Sequence, residues 1–211
     1  MVKIKVCGIT NQDEAEGAVT AGVDALGFVF SKSPRQVLAK KVATIIQRLP
    51  PFITAVGVFV NEDRDRVLET AAIAGITTLQ FHGDEPPHYL DYFRGHFGFQ
   101  VIKAIRIEST QYLKYAKKYK PSAFLLFDAY SPRAYGGLGE PFDWNIIREN
   151  SPSYPFILAG GLNSQNIKRA LDMIKPYGVD VSSGVETDGG KDTGKIKELV
   201  QIMRRWEKNA L

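Results

Sequence analysis

A lone cysteine, Cys7, closes the first alternating run of the chain, two residues after Lys5 and directly before Gly8-Ile9-Thr10. Period-two alternation puts Ile4 and Val6 on one face and Lys3, Lys5 and Cys7 on the other. A thiol where a strand gives way to a helix, with an ammonium one layer below, is favoured as its thiolate, which can accept a proton. Asp128 is a second candidate, ending the apolar run Phe124-Leu125-Leu126-Phe127. A carboxyl group there is either a loop cap or a buried acid ready to give up a proton. Together the two could move protons at opposite sides of one substrate. Holding a thiolate beside a carboxylic acid reverses their order in water. With reference values of ~8.5 and ~3.9, that arrangement costs about 6 kcal/mol, which the surroundings must offset.

A different chemistry is written at Phe156-Ile157-Leu158-Ala159-Gly160-Gly161-Leu162-Asn163. An apolar run that stops at Gly160-Gly161 and turns into a helix leaves backbone N–H groups and a positive dipole end facing open space, a cup for a phosphate. Val179-Asp180-Val181 running into Ser182-Ser183-Gly184 makes a second cup one unit later. Two cups in tandem suggest a ligand with a phosphate handle, either a phosphosugar or a flavin. Arg35, after Ser33-Pro34, could clamp a carboxylate in bidentate fashion. His82, after Gln80-Phe81, could hold substrate, whereas His88 and His96 fall on a helical pattern and read as structural. The three histidines lack metal-ligand spacing, and no Gly-x-Ser-x-Gly elbow is present.

The elements that must position these residues follow from periodicity. Strand-like runs begin near Lys3, Ala25, Thr54, Thr77, Gln100, Ala123, Pro155 and Gly178. Helical patterns lie between them, with caps expected at Asn11 (boxed with Glu14), Asp84, Ser109, Asp143, Asn163 and Thr193. Leu38, Val42, Ile45, Ile46 and Leu49 form one stripe, stopped by Pro50-Pro51, and Gly75 ends another. Strict alternation demands a parallel sheet with right-handed crossovers. A doubly wound dinucleotide fold would want Gly-x-Gly-x-x-Gly after its first strand, where only Gly8 stands. The expected architecture is α/β, a single (β/α)8 TIM barrel over residues 1–211 with no linker. Such barrels work at the carboxyl ends of their strands, with phosphate held after strands seven and eight. Those ends carry Cys7, Phe30-Ser31, Val60-Asn61, His82, Arg106, Asp128, Gly160-Gly161 and Ser183-Gly184. The long connection from Ala129 to Phe142 contains Gly136-Gly137-Leu138-Gly139 and reads as a lid over that face.

Composition narrows the class. Apolar content of 44% and charged content of 24% suit a globular protein with a sizeable core. The net charge of +4 is mild, and its excess in Lys195, Lys197, Arg204, Arg205 and Lys208 reads as a solvated helix face. No nucleic-acid partner is expected from it. Nor is a membrane, since no apolar run approaches the ~18 residues of a spanning helix. One cysteine excludes an intrachain disulfide and cysteine-rich metal sites, which fits a cytoplasmic protein.

With these positions laid out, the chain resembles the phosphoribosylanthranilate isomerases of tryptophan biosynthesis from end to end. The resemblance is carried by Lys5-Val6-Cys7-Gly8-Ile9-Thr10, Gly27-Phe28-Val29-Phe30 through Ser33-Pro34-Arg35, and Gln80-Phe81-His82-Gly83-Asp84-Glu85. It continues through Asp128, Tyr135-Gly136-Gly137, Phe142-Asp143-Trp144, Leu158-Ala159-Gly160-Gly161-Leu162 and Asp180-Val181-Ser182-Ser183-Gly184-Val185-Glu186. Thr187-Asp188-Gly189-Gly190, where a proline is common, reads as a minor loop difference. The resemblance implies an Amadori rearrangement of a small-molecule phosphosugar, needing no cofactor and no metal. It implies Asp128 as the acid at the ribose ring oxygen and Cys7 as the base at C2′. It gives Arg35 the anthranilate carboxylate and the glycine and serine amides (Gly160, Gly161, Ser183, Gly184) the phosphate. His82 and Asp180 become supporting contacts, and Lys5, below Cys7, is counted with the substrate-binding residues.

Overall fold

The computed structural model describes residues 1–128, 144–150 and 152–210. Eight parallel strands close into a barrel: β1 Lys3–Cys7, β2 Ala25–Val29, β3 Thr54–Phe59, β4 Thr78–Phe81, β5 Gln100–Arg106, β6 Phe124–Asp128, β7 Phe156–Ala159 and β8 Gly178–Val181. Each is followed by a helix: α1 Gln12–Ala21, α2 Ala39–Ile46, α3 Arg64–Ala74, α4 Pro87–Phe97, α5 Thr110–Ala116, α6 Asn145–Glu149, α7 Ile167–Ile174 and α8 Thr193–Ala210. The expected strand starts hold to within one residue. β8 pairs with β1, placing Lys5 opposite Asp180 and Val6 opposite Val181, and so the ring closes.

Alternation sorts the strand residues into two cores. Outward residues such as Ile4, Val6, Leu26, Phe28, Leu79, Phe81, Phe127 and Leu158 are buried beneath the helices with Ala15, Val42, Val67, Leu90 and Leu171. Inward, Ala104, Leu126 and Ala159 form a small separate cluster with Ile102 and Ile157. The rest of the interior mixes the valines Val56 and Val58 with buried polar residues, Lys5, Thr78, Gln80 and Asp180. Buried polar residues in a barrel need partners, and these partners define the site.

Several helix starts differ from expectation. Asn11 Oδ1 does accept from the Glu14 amide. The carboxylate of Glu14, however, reaches Thr10 N and Thr10 Oγ1, one residue short of the box. Pro86 rather than Asp84 is the N-cap of α4, because Pro87 at the first helical position is pre-set for a helix start, needs no amide partner and holds the residue before it extended. Ser109 sits at the N-cap of α5 without a side-chain cap bond. Asn163 Oδ1 caps the amides of Gln165 and Asn166, a turn that delays α7 until Ile167. Asp192, not Thr193, caps α8, accepting from Lys195 N at 3.0 Å. Leu38 lies outside its stripe as the exposed N-cap of α2. Gly75 ends α3 in the left-handed conformation, as expected. The basic face of α8 is partly folded back: Arg204 bonds Glu207 on its own helix and Val2 O, just before the first strand. Asp143 and the glycine-rich 129–142 connection lie outside the described residues. No helix among the described residues is long and apolar enough to cross a membrane.

Candidate active site

Cys7 ends β1 with its side chain inside the barrel mouth and partly buried. Lys5 lies one layer below, its ammonium 2.7 Å from Asp180 Oδ2, and both side chains are almost wholly buried. Gly27, the register partner of Cys7 on β2, makes room for both groups. A Cβ there would stand 2.9 Å from Cys7 Sγ and 3.0 Å from Lys5 Nζ. Burial works against the Lys5 cation, yet the charges of Asp180 and Cys7 hold its pKa above the ordinary lysine value. Cys7 goes the other way from the sequence expectation. Burial pushes the thiol up, and the Lys5 charge only partly offsets it, with Asp180 adding to the rise. A cation beside a thiol is therefore not enough to make a resting thiolate when the same pocket excludes water. Lys5, expected among the substrate-binding residues, bonds Asp180 and stands beside Cys7. Asp180 Oδ1 is buried without a hydrogen-bond partner among the described residues.

Asp128 ends β6, which two strands, β7 and β8, separate from β1. Its Oδ2 lies 3.0 Å from His82 Nε2, and both side chains are partly exposed. His82 Nδ1 lies 3.2 Å from the Gln80 side-chain amide, so the ring is held between Gln80 and Asp128. The turn that carries His82 is pinned from below. Lys103 Nζ bonds Glu85 Oε2 at 2.8 Å and the Gly83 carbonyl at 2.5 Å, and Glu85 Oε1 accepts from Asn61 N at 2.7 Å. Lys103 and Glu85 are 1% and 2% exposed. Sequence reading missed this pair. Lys103 stands on the helix-facing side of its strand, and only the structure shows a carboxylate waiting there.

The two glycine turns sit side by side, because β7 and β8 are paired neighbours. Gly160 and Gly161 both take positive φ, 97° and 64°, where a side chain is strained. A Cβ on Gly161 would meet nothing within 4 Å, so the turn opens outward. Gly184 is glycine for another reason. A Cβ on it would lie 1.9 Å from Leu162 O and 2.9 Å from Asn163 Cβ. The second turn is thus seated directly on the backbone of the first, with Gly184 inside a one-turn 3-10 helix, Ser183–Val185. Ser182 Oγ donates to Cys7 O at 3.0 Å, tying the second cup to the cysteine turn.

Arg35 reaches this end of the barrel, but its fork is engaged by a residue that sequence reading passed over. Nε and Nη2 each lie 2.6 Å from the carboxylate of Glu186. Glu186 also receives Lys191 Nζ. The stretch taken for a minor loop difference is the turn of a hairpin joining β9 Glu186–Thr187 to β10 Gly190–Lys191. Asp188 and Gly189 at its tip have φ of 52° and 82°, the paired left-handed geometry of a type I′ turn. Asp-Gly was the signal available in the sequence. Burial opposes the charge of Glu186, but the bonds from Arg35 and Lys191 win and hold its pKa down at about 2. Lys191 gains less, since burial outweighs its one carboxylate partner and leaves it below the ordinary lysine value.

The arrangement offers a thiol and a carboxyl at the ends of different strands and a backbone cup on neighbouring loops, with an arginine at the same end of the barrel. Among the described residues, no group of three or more histidine, cysteine or acidic side chains could hold a metal ion. Residues 4–202 match the family model described as N-(5'phosphoribosyl)anthranilate (PRA) isomerase. A relative from Geobacter sulfurreducens, named N-(5'-phosphoribosyl)anthranilate isomerase, is 45% identical over 208 residues, covering 98% of this chain and all of its own. Among solved structures, phosphoribosyl anthranilate isomerase from Thermotoga maritima superposes with a TM-score of 0.88 at 38% identity, covering 97% of this chain and 100% of its own. A phosphoribosyl anthranilate isomerase in complex with reduced 1-(O-carboxyphenylamino)-1-deoxyribulose 5-phosphate does so at 0.85 and 35%, with the same coverage. On barrel topology and on sequence, this chain belongs to the N-(5'-phosphoribosyl)anthranilate isomerase family.

Proposed function

We infer that the chain catalyses the Amadori rearrangement of N-(5'-phosphoribosyl)anthranilate to 1-(2-carboxyphenylamino)-1-deoxyribulose 5-phosphate, the isomerase step of tryptophan biosynthesis. Family membership supports the reaction. The observation that carries the assignment of residues is the placement of Cys7 and Asp128 at the carboxyl ends of β1 and β6 in one closed barrel. Asp128 gives its proton to the ribose ring oxygen as the C1′–O bond breaks, opening the ring to an iminium. Cys7, as thiolate, then takes the proton from C2′. The electron pair moves into an enamine, whose enol collapses to the C2′ ketone as C1′ is protonated. The rearrangement is redox-neutral, with no group lost or gained.

The surroundings fit these roles. His82 Nε2–H steadies the carboxylate that Asp128 becomes after giving its proton, a charge that is costly in a dry site. Lys5 stands beside the sulfur, where its charge helps most once the thiolate forms. Asp180 Oδ1 supplies an acceptor for a ribose hydroxyl. The amides around Gly160, Gly161, Ser183 and Gly184 take the phosphate. Arg35 takes the aryl carboxylate. Because burial raises the thiol, the competent thiolate is a minor form at neutral pH in the free enzyme. The phosphosugar is the partner of this site; a cytoplasmic location without nucleic-acid or membrane partners accords with one cysteine and mild charge.

The test is an anthranilate-fluorescence assay on freshly made substrate, with Cys7→Ala and Asp128→Asn run beside the wild type. Each substitution removes one proton-transfer group, a contribution of roughly a hundredfold or more in turnover, while ligand affinity is largely kept. Full turnover by either variant would remove that residue from the mechanism.

A further inference from the structure

We propose that Glu186, braced by Lys191, is the positioning residue for Arg35, setting the direction in which its guanidinium meets the substrate's aryl carboxylate. The inference rests on the reading that Arg35 binds that carboxylate. Glu186 itself touches no reacting atom.

Arginine has a long stem with several rotatable bonds, so an arginine left to itself loses much of its binding energy to ordering. Here the fork is fixed in advance. Two parallel bonds of 2.6 Å, from Nε to Oε1 and from Nη2 to Oε2, settle both the plane of the guanidinium and its roll about the stem. They use the side edge of the group. The direction of the terminal edge, Nη1 with Nη2, is thereby set as well. The brace is itself buried and bonded. Lys191 Nζ bonds Glu186 Oε1 and lies 3.3 Å from both the carbonyl and the hydroxyl of Ser182, and its side chain is 1% exposed. The Lys191 amide donates to Glu14 Oε1 at 3.0 Å, which locks the hairpin to the turn behind Cys7. Gly8 completes the arrangement. With φ of 86° and no Cβ, it lets the Arg35 stem pass; a Cβ there would sit 2.4 Å from Arg35 Cδ.

Arg35 and Lys191 both bond the Glu186 carboxylate, so one acid holds both cations in place. The device suits an enzyme that must recognise an aryl carboxylate by orientation as well as by sign.

The test compares two ligands: the reduced product analogue 1-(o-carboxyphenylamino)-1-deoxyribulose 5-phosphate and its counterpart without the ring carboxylate. Dissociation constants are measured by titration calorimetry for wild type, Arg35→Met, Glu186→Gln, Glu186→Asp and the Arg35→Met/Glu186→Gln double variant. Arg35→Met is expected to weaken the carboxylate ligand about a hundredfold, the scale of a lost charge-assisted pair, and to spare the counterpart. Both Glu186 variants are expected to weaken it about tenfold with the counterpart again unchanged, the aspartate because it keeps the charge but loses the reach. The double variant is expected to bind no worse than Arg35→Met. If Arg35→Met leaves the carboxylate ligand unaffected, the underlying assignment of Arg35 fails. If Arg35→Met behaves as expected, the proposal is overturned by any of three results: Glu186 variants that bind the carboxylate ligand as tightly as wild type or more tightly, equal loss of both ligands, or additive loss in the double variant.

Discussion

Replacing Lys5 by methionine removes the cation under Cys7 and strands a carboxylate inside the barrel. The Lys5 and Asp180 side chains are 5% and 6% exposed, with their charges 2.7 Å apart. Asp180 Oδ1 already lacks a partner among the described residues, so the substitution leaves both oxygens bare. Breaking one side of a buried pair costs about 3–5 kcal/mol, because the remaining charge keeps its desolvation penalty. At roughly 2–4 °C per kcal/mol for a domain of this size, the melting temperature should fall by about 6–20 °C. Removing both charges is different, since neither group is then left unpaired. Lys5→Met/Asp180→Asn should return to within about 1 kcal/mol of wild type in urea unfolding. The pH dependence has a definite sign. Lys5 is raised in the folded state, so its contribution is complete below the unfolded value of ~10.4 and lost only as pH climbs through the folded one. The penalty of Lys5→Met is therefore flat across neutral pH. Catalysis should not recover along with stability. Lys5 lowers the Cys7 thiol more than Asp180 raises it, so the single and the double variant should both raise the thiol further; because the required order of the two groups is the reverse of that in water, the basic limb of kcat/KM moves to higher pH and its plateau falls. Urea unfolding and a kcat/KM profile on the three proteins decide the matter. A single variant costing under ~1 kcal/mol, or a double variant no more stable than the single, would refute the reasoning.

Three further outcomes follow from the geometry. Gly184→Ala drives a methyl group into the Leu162 carbonyl, so the two cups must separate; inorganic phosphate should lose its competitive inhibition, while Gly161→Ala, with open space above it, should cost only backbone strain of about 1–2 kcal/mol. Gly27→Ala crowds Cys7 Sγ and Lys5 Nζ at about 3 Å and should lower turnover by roughly a hundredfold with a stability loss of only about 1–3 kcal/mol, read by stopped-assay kinetics and thermal melts. Glu186 has its pKa pulled from 4.5 to about 2, a displacement of about 3 kcal/mol, so its contribution is present above the unfolded value and lost as pH falls towards 2. Glu186→Gln should lack that part of the acid-unfolding transition, and an acid titration followed by circular dichroism will show whether it does.

What the linear sequence determined by itself is the alternation of strands and helices, the starts of all eight strands to within a residue, and the identity of the groups at their carboxyl ends. Those features depend on period, on turn residues and on the handedness of parallel crossovers, all written within about 25 residues of each other. Cys7, His82, Asp128, Gly160-Gly161 and Ser183-Gly184 were legible for that reason. Local caps were less so, because Asp84, Asn163 and Thr193 each compete with a neighbour for the same few amides, and only the path of the chain decides between them. What the tertiary structure alone decided is which charges meet. Lys5 finds Asp180 175 residues away because the ring closes β8 onto β1. Arg35 finds Glu186 151 residues away because an Asp-Gly hairpin folds back over the mouth. His82 and Lys103 likewise find Asp128 and Glu85 across neighbouring elements. The balance at Cys7 could not be read from a nearby lysine in the sequence. It is set by how much water the closed barrel excludes, and that property belongs to the whole ring rather than to any stretch of it.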